Sequence, residues 1–422
     1  MKHRLLLLVA AAALLPLYLN AQPRAQISDE EYAALIHENL YRTGVNTNPY
    51  EFLPQAETPV PAGYKPFYIS HYGRHGARSN WSGNDYADIV GKLEAAARAG
   101  VLTPMGETVL AHAREVSRQH NGMNGRLTYR GTREHRQIAG RMFQKYKKVF
   151  TKGKRMVRAV SSVSPRCIVS MNAFTGELLS RDPSLDLRWD TGEKIMLYCS
   201  TNDPKDVKEA AMKLVNEHLL SQLPDTATFL NRLFTDVPKG LEAVGCHAVQ
   251  LMSETIDIAV ICGSYDLDDT VLRLFNEADL VHYARNISLN LYLRQCNSLP
   301  FGDRRMENVE PLVDDVIAKA DEAIATGAVA ADLRFGHDYQ LLAFSSRIGI
   351  RGIGERMTAE EALAWPGFLY SPFAGNLQMV FYKNRKGDVL VKFFSNERET
   401  SLLSLPGGPY YRWEDVKTAW KQ

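Results

Sequence analysis

An apolar strand, a turn that carries charged or histidine residues, and a helix follow one another three times in this chain. The first unit runs through residues 67–69 into the turn at 71–78, and the second from residues 156–160 to a helix that begins near Pro165. The third runs from residues 333–335 to His337-Asp338. Repeated units of this kind predict an α/β fold, in which reactive side chains follow the carboxyl ends of parallel strands.

The first turn places a histidine, His75, between two arginines, Arg74 and Arg78. Two guanidiniums beside an imidazole disfavour its protonated form, so they favour a neutral and nucleophilic ring. Guanidiniums also present forked donors that match the oxygens of a phosphate group. The turn therefore predicts phosphoryl transfer to a ring nitrogen, and a strand-end turn with solvated arginines is the alternative.

The other two turns contain the remaining groups that phosphomonoester hydrolysis needs, which are further positive charge and an acid for the departing alcohol. Arg166, at the start of a helix, is a third candidate guanidinium. His337 is a further candidate donor and Asp338 a candidate acid. Taken singly, such residues are more often solvated arginines, turns or helix caps. Because all three follow predicted strands, we expect them to converge on His75.

The rest of the chain is interpreted as a core with one insertion. Residues 22–185 and 311–422 are predicted to form the α/β core, a mixed sheet flanked by helices. Residues 186–310 have helical patterning and are predicted to form an inserted helical cap domain. The clearest core elements are predicted helices at 86–99, 104–119 and 132–149, and a β-hairpin formed by 378–382 and 389–394.

The N-terminus differs in character from the rest of the chain. Residues 1–4 are basic and residues 5–19 are almost wholly apolar, which predicts a signal peptide over 1–21 rather than a spanning helix. Its removal leaves 48 basic and 48 acidic residues, so we expect no nucleic-acid partner. We expect a periplasmic or secreted protein without a membrane span, where disulfides are permitted, and the oligomeric state is left open. The five cysteines lack zinc-site spacing; they are Cys167, Cys199, Cys246, Cys262 and Cys296.

Five segments, in order along the chain, resemble the histidine acid phosphatases, the second clade of the histidine phosphatase superfamily. They are ISHYGRHGARS at 69–79, LTPMGE at 102–107, LTYRGTREHRQIAGRM at 127–142, RAVSSVSPRCIVS at 158–170 and FGHDYQLL at 335–342. Two later segments look most like the multiple inositol polyphosphate phosphatases, a phytase-like branch; they are SPFAGNLQMVFYKN at 371–384 and VKFFSNERE at 391–399. That branch typically has His-Ala-Glu where this chain has His337-Asp338-Tyr339. The His-Asp pair is the usual form in other phytases and in general acid phosphatases.

The resemblance implies a phosphoglycerate-mutase-like core and a function for each candidate residue. His75 would be the phosphorylated residue and Asp338 the general acid. The phosphate would be held by Arg74, Arg78, Arg166 and His337. Glu134 and His135 would pack and form hydrogen bonds. No metal or other cofactor is implied, and the implied substrate is a small phosphomonoester, foremost a polyphosphorylated inositol. Alternatives are a general acid phosphatase, a sugar-phosphate phosphatase, a phosphomutase and a non-catalytic binder of phosphate ligands.

A basic segment offers an indication of substrate. Residues 126–158 contain twelve lysines and arginines and one acidic residue, Glu134, which leaves an excess of eleven positive charges. One interpretation is a pair of solvated helix faces. The other is an electropositive approach to the pocket, which would attract multiply phosphorylated substrates.

Overall fold

A computed structural model describes residues 24–80, 86–152, 155–201, 205–219 and 224–421. Its centre is one eight-stranded sheet in the order β3-β2-β4-β1-β5-β6-β7, with β8 also paired to β6. The predicted α/β fold with a mixed sheet is thus confirmed. The strands are β1 Lys65–Arg74, β2 Met156–Ser161, β3 Asp186–Thr191, β4 Val329–Gly336, β5 Asn376–Lys383, β6 Val389–Ser395, β7 Arg398–Thr400 and β8 Tyr410–Arg412.

The pairing of β1, β2 and β4 explains how three distant turns meet. β4 lies between β1 and β2 and is parallel to both. Arg74 at the end of β1 is level with Gly336 at the end of β4, and Ser161 at the end of β2 is level with Phe335. The three turns therefore leave the sheet at the same edge, as expected for parallel strands. β5 and β6 form the predicted antiparallel hairpin.

Helices cover both faces of the sheet because the central strands are apolar on both faces. On one face, Ile69 and Phe335 belong to a buried cluster with Phe143 and Phe174 of two long helices. The opposite face belongs to a second and larger cluster. The core helices are Asp29–Glu38, Ala87–Arg98, Pro104–His120, Tyr129–Lys145, Lys147–Thr151, Pro165–Arg181, Glu310–Thr326, Asp338–Arg347, Gly367–Tyr370 and Trp413–Trp420, with 3-10 turns at Leu40–Thr47 and Glu361–Ala364.

The segment predicted as a helical insertion, residues 186–310, begins with β3, a strand of the central sheet, and becomes helical after it. Buried residues of the long helix Glu277–Gln295 lie in the same hydrophobic cluster as one face of the sheet, so the insertion and the core pack as one body. The helices are Met196–Cys199, Lys205–Leu219, Thr226–Leu233, Val237–Val244, Ala248–Ala259, Glu277–Gln295 and Gly302–Glu307, with 3-10 turns at Glu193–Ile195, Cys262–Tyr265 and Asp269–Leu274.

The predicted signal peptide lies outside the described residues. Within the part of the chain that the structure describes, no single helix is long and apolar enough to cross a membrane. Among the described helices, one pair meets that test together, Val237–Val244 with Ala248–Tyr265, and the two are bent by 75°.

Candidate active site

His75 lies in the turn that follows β1, and the backbone fixes its ring. Its amide nitrogen donates to the carbonyl of Gly336 at 2.9 Å, and its Nδ1 lies 2.9 Å from the carbonyl of Gly76. A carbonyl oxygen can only accept, so Nδ1 carries the ring proton and Nε2 keeps its lone pair. His75 is 2% exposed. The turn therefore holds a neutral imidazole with a nucleophilic nitrogen in a fixed direction.

The surroundings of His75 keep it neutral. Burial, followed by Arg74, Arg166 and Arg78, lowers the pKa of His75 well below its usual value. Both causes act in one direction, because desolvation and positive neighbours each disfavour a second positive charge. The flanking arginines thus lower the pKa of His75, as expected from the sequence, and burial lowers it more than they do.

Arg74 is a buried guanidinium with fixed partners. It donates from Nη1 to the carbonyl of Ser371 at 3.0 Å, and its Nη2 lies 3.2 Å from Oδ2 of Asp338. The ring of Phe373 lies beneath it, 4.8 Å from Cζ. These contacts leave the guanidinium little freedom to turn, and they connect it directly to the candidate acid.

Arg166 and His337 contact one another beside His75. Arg166 is the second residue of the helix Pro165–Arg181, and its Nη2 lies 3.3 Å from Nδ1 of His337. A guanidinium can only donate, so Nδ1 accepts and the proton of this neutral ring is on Nε2. Nε2 in turn lies 3.1 Å from Oγ of Ser162. Burial and Arg166 lower the pKa of His337. In this state the ring is oriented by Arg166 and Ser162.

Asp338 is the first residue of a helix, and its carboxylate accepts three donors. Oδ1 accepts the amide of Tyr339 at 3.0 Å, and Oδ2 accepts Nδ2 of Asn46 at 2.9 Å besides the contact with Arg74. Burial alone would raise the pKa of Asp338, but Arg74, the Asn46 hydrogen bond and His337 outweigh it and lower the pKa. Before a phosphate binds, Asp338 is therefore an anion.

A close backbone contact supports the first turn. A Cβ placed on Gly76 would lie 2.5 Å from the carbonyl oxygen of Gly131, so glycine is required at this crossing. Glu134, on the same helix as Gly131, accepts the amides of Tyr50 and Ala77 at 2.9 and 2.8 Å. Glu134 therefore holds the turn by hydrogen bonds, in line with the role that the resemblance implies.

All six predicted site residues lie in this one cluster, whereas other parts of the site were not identified from the sequence. Asn46 belongs to the N-terminal 3-10 segment, for which no functional motif was recognised. Ser371 and Phe373 lie in a loop before β5, inside a segment noted for its resemblance but given no role. The three predicted turns were recognisable because each follows an apolar strand. Neither the 3-10 segment nor the loop before β5 follows a strand, so the same signal is absent there.

The structure also shows the surroundings of the cysteines and of the basic segment. All five cysteines are free thiols. Five members of the basic segment form ion pairs with acidic residues outside it, so its charge is partly neutralised; they are Arg130, Arg133, Arg141, Lys145 and Arg158. The helix Tyr129–Lys145 is also about 26 Å long, and it contacts the turn at 71–78 through Gly131 and Glu134, near its N-terminal end. In the described part of the chain, no group of three or more histidine, cysteine and acidic side chains could hold a metal ion.

Comparison with known proteins identifies the fold. The apo form of the Bifidobacterium longum multiple inositol polyphosphate phosphatase superposes with a TM-score of 0.71 at 16% identity, over 90% of this chain and 97% of that one. This chain has the same fold. The phytase from D. castellii gives a TM-score of 0.67 at 14% identity, over 91% and 85% of the two chains. The phytase from Citrobacter braakii gives 0.51 at 13%, over 85% and 97%. No family model and no curated protein matches the sequence.

Proposed function

We propose that this chain is an exported phosphomonoesterase that hydrolyses inositol polyphosphates through a phosphohistidine. The observation that carries the proposal is the neutral ring of His75, fixed through Nδ1 and surrounded by the guanidiniums of Arg74, Arg78 and Arg166. A ligand-binding site needs cations, but it needs neither a nucleophile nor an acid. The presence of Asp338 beside Arg74 therefore favours an enzyme over a non-catalytic binder.

The first half of the reaction transfers the phosphoryl group to His75. The phosphate lies beside His337 and among the guanidiniums, and the guanidiniums balance the charge on its oxygens. Nε2 of His75 attacks phosphorus in line as the bond from phosphorus to the ester oxygen breaks. Asp338 gives its proton to that oxygen, and the alcohol leaves.

Asp338 must be protonated for this step, although it is an anion before substrate binds. The guanidiniums of Arg74 and Arg78 lower its pKa. A bound phosphate dianion offsets their charge and adds negative charge of its own, so the pKa of Asp338 rises when substrate binds. Mildly acidic solution favours the protonated acid, and His75 stays neutral there because its own pKa is lowered.

In the second half, Asp338 is a carboxylate again and accepts a proton from water. The water oxygen attacks phosphorus, the bond between phosphorus and Nε2 breaks, and inorganic phosphate leaves. This leaves a proton on Asp338 and a neutral His75, and Asp338 becomes an anion again once phosphate has left and its pKa falls. This release by water distinguishes a phosphatase from a phosphomutase, which keeps water from the phosphohistidine.

The substrate is proposed from two observations. The Bifidobacterium longum phosphatase of the same fold was solved in complex with inositol hexasulfate, at a TM-score of 0.68 and 16% identity. In this chain, Arg126 is exposed and its carbonyl accepts the amide of Ser79, directly after Arg78. An additional cation beside the pocket suits a ligand with several phosphates. Export follows from the signal peptide that the sequence predicts.

The test is a time course of phosphate release from inositol hexakisphosphate, glucose 1-phosphate and an aryl phosphate at mildly acidic pH. We expect an initial burst of the released alcohol, followed for the aryl phosphate as the aryl alcohol, and a phosphohistidine that can be trapped by rapid denaturation. His75→Ala should abolish both. Asp338→Asn should slow the two alkyl esters by about 10²–10⁴-fold and the aryl ester far less, since an aryl oxide leaves without a proton. Equal losses on all three esters would exclude Asp338 as the acid, and the absence of any burst or release would refute the function.

A further inference from the structure

The residue Asn46 reaches the candidate acid from a distant part of the chain. Its Nδ2 donates to Oδ2 of Asp338 at 2.9 Å across 292 positions of sequence. Asn46 lies in the 3-10 segment Leu40–Thr47, which packs against the helix Glu277–Gln295 of the insertion rather than within the sheet. The side chain is half-buried, so it lies at the wall of the pocket.

The backbone just before Asn46 has an unusual conformation. Val45 has φ 48° and ψ −90°, in the left-handed half of the map that β-branched residues rarely adopt, and it is fully buried. The neighbouring Gly44 is also constrained, because a Cβ there would lie 2.3 Å from Oγ1 of Thr47. Such conformations persist only where the surrounding structure fixes them, and they concentrate at functional sites. Here the strained residue directly precedes the one that contacts Asp338.

The donors to the carboxylate differ in what happens to them when phosphate binds. Arg74 contacts Oδ2, but it is also a candidate ligand of the phosphate. Asn46 is neutral, so the phosphate attracts it much less than it attracts the guanidinium of Arg74. The hydrogen bond from Asn46 to Oδ2 therefore remains when Arg74 turns to the phosphate. The amide of Tyr339 occupies Oδ1. Other titratable groups facing the carboxyl are Arg78, Arg166, Cys167, His337 and Tyr339.

We propose that Asn46 is a positioning residue for the general acid, which keeps the Asp338 carboxyl oriented while Arg74 binds the phosphate. This inference rests on the proposed function. Removal of the Asn46 side-chain amide should have two consequences. Loss of the amide lets the carboxyl rotate, which slows proton delivery to the leaving group. It also removes a donor that favours the anion, so the pKa of Asp338 rises.

The experiment compares Asn46→Leu with the intact chain, using inositol hexakisphosphate and an aryl phosphate across pH. We expect the turnover rate on the alkyl ester to fall about tenfold, as for one lost hydrogen bond, and that on the aryl ester to change less than about threefold. The alkaline limb of the profile, where Asp338 loses its proton, should move upward by about half a pH unit to one unit.

Asn39→Ser is the matched control. Asn39 is the N-cap of the same segment, where its Oδ1 accepts the amide of Tyr41 at 3.1 Å. Its own amide donates to a carboxylate, Glu51, at 3.3 Å and does not contact Asp338. Serine keeps a capping oxygen and removes the amide, so this variant should leave the alkaline limb and the ratio of the two rates unchanged. Asn46→Asp is a second test variant, because a second carboxyl of the same size beside Asp338 should move the limb further upward than Asn46→Leu does.

Three results would decide against the inference. They are equal losses on both esters with an unmoved limb, the same changes in Asn39→Ser, and an unmoved limb in Asn46→Asp. An intact protein that releases phosphate from neither ester would instead overturn the proposed function, so the two failures are distinguishable.

Discussion

Acid should destabilise this protein through His71, a buried histidine of β1. The His71 ring packs against Phe174 and Phe335, with ring centroids 5.1 and 5.5 Å apart. Its Nδ1 is buried without a hydrogen-bond partner among the described residues. Burial, with smaller contributions from His135 and Arg334, lowers the pKa of His71 to about 3. The folded protein therefore holds this ring neutral at any pH at which the proposed enzyme would act.

The size of the effect follows from the difference in pKa between the folded and unfolded chains. In the unfolded chain the pKa of a histidine is about 6.5, so below that pH the unfolded state binds a proton that the folded state does not. The free energy of unfolding falls as pH decreases from about 6.5 toward 3. At pH 5 the loss from His71 is about 2 kcal/mol, which is 1.36 kcal/mol for each of about 1.5 pH units.

The assay is urea unfolding of the intact protein and of His71→Phe at pH 7.5 and pH 5.0. Phenylalanine keeps an aromatic ring and removes both the titration and the unpartnered nitrogen. The intact protein should lose about 2 kcal/mol more than the variant between the two pH values. Any cost of fitting the larger ring is the same at both pH values and cancels. His37→Gln, at an exposed histidine, is the control, and a pH-induced loss in His71→Phe equal to that of the intact protein would refute the reasoning.

Further predictions concern the turn, its rim and its ligand. Gly76→Ala should abolish phosphate release and lower the melting temperature, because its Cβ would meet the Gly131 carbonyl oxygen at 2.5 Å; retained activity would contradict that contact. Arg126→Ala should lower kcat/KM for inositol hexakisphosphate several-fold at low salt but not for glucose 1-phosphate, and equal losses would exclude a role in binding a second phosphate. Inorganic phosphate at 100 times the Kd of the intact protein should stabilise that protein to unfolding by about 2.7 kcal/mol. The same phosphate concentration should stabilise Arg166→Ala less.

The part of the site that the sequence predicts is the part that local pattern determines. An apolar run before a glycine-containing turn predicts β1 and places His75 after it, and the same reasoning places Arg166 and His337 after strands. Parallel strands end at the same edge of a sheet, so the fold class alone predicts that these three side chains lie close together. Helix starts were predicted where a cap precedes a proline, as at Thr103, whose side chain accepts the amide of Gly106.

Features that depend on tertiary contacts were not predictable in this way. The helix predicted over 132–149 in fact starts at Tyr129 and is interrupted at Tyr146, where φ is −113°. β3 has the sequence Asp-Leu-Arg-Trp-Asp-Thr, which alternates polar and apolar residues over only six positions. It is mostly exposed at the edge of the sheet, and so short a run did not stand out beside the helical pattern that follows it. Its place in the sheet comes from pairing with β2. Asn46 likewise acquires its contact only through packing of the N-terminal segment.

The distribution of charge shows why the number of basic residues in a segment is a poor measure of the charge that a ligand meets. Outside the site, arginines of the basic segment meet carboxylates brought from elsewhere by the fold, as Arg133 meets Asp266 and Arg141 meets Glu397. At the site, burial and then the like charges of Arg74 and Arg166 lower the pKa of Arg78. Buried like charges cost stability unless a ligand neutralises them. In the proposed function a phosphate group supplies that charge, so the accumulation of positive charge within the pocket is a better guide to the ligand than the net charge of a segment.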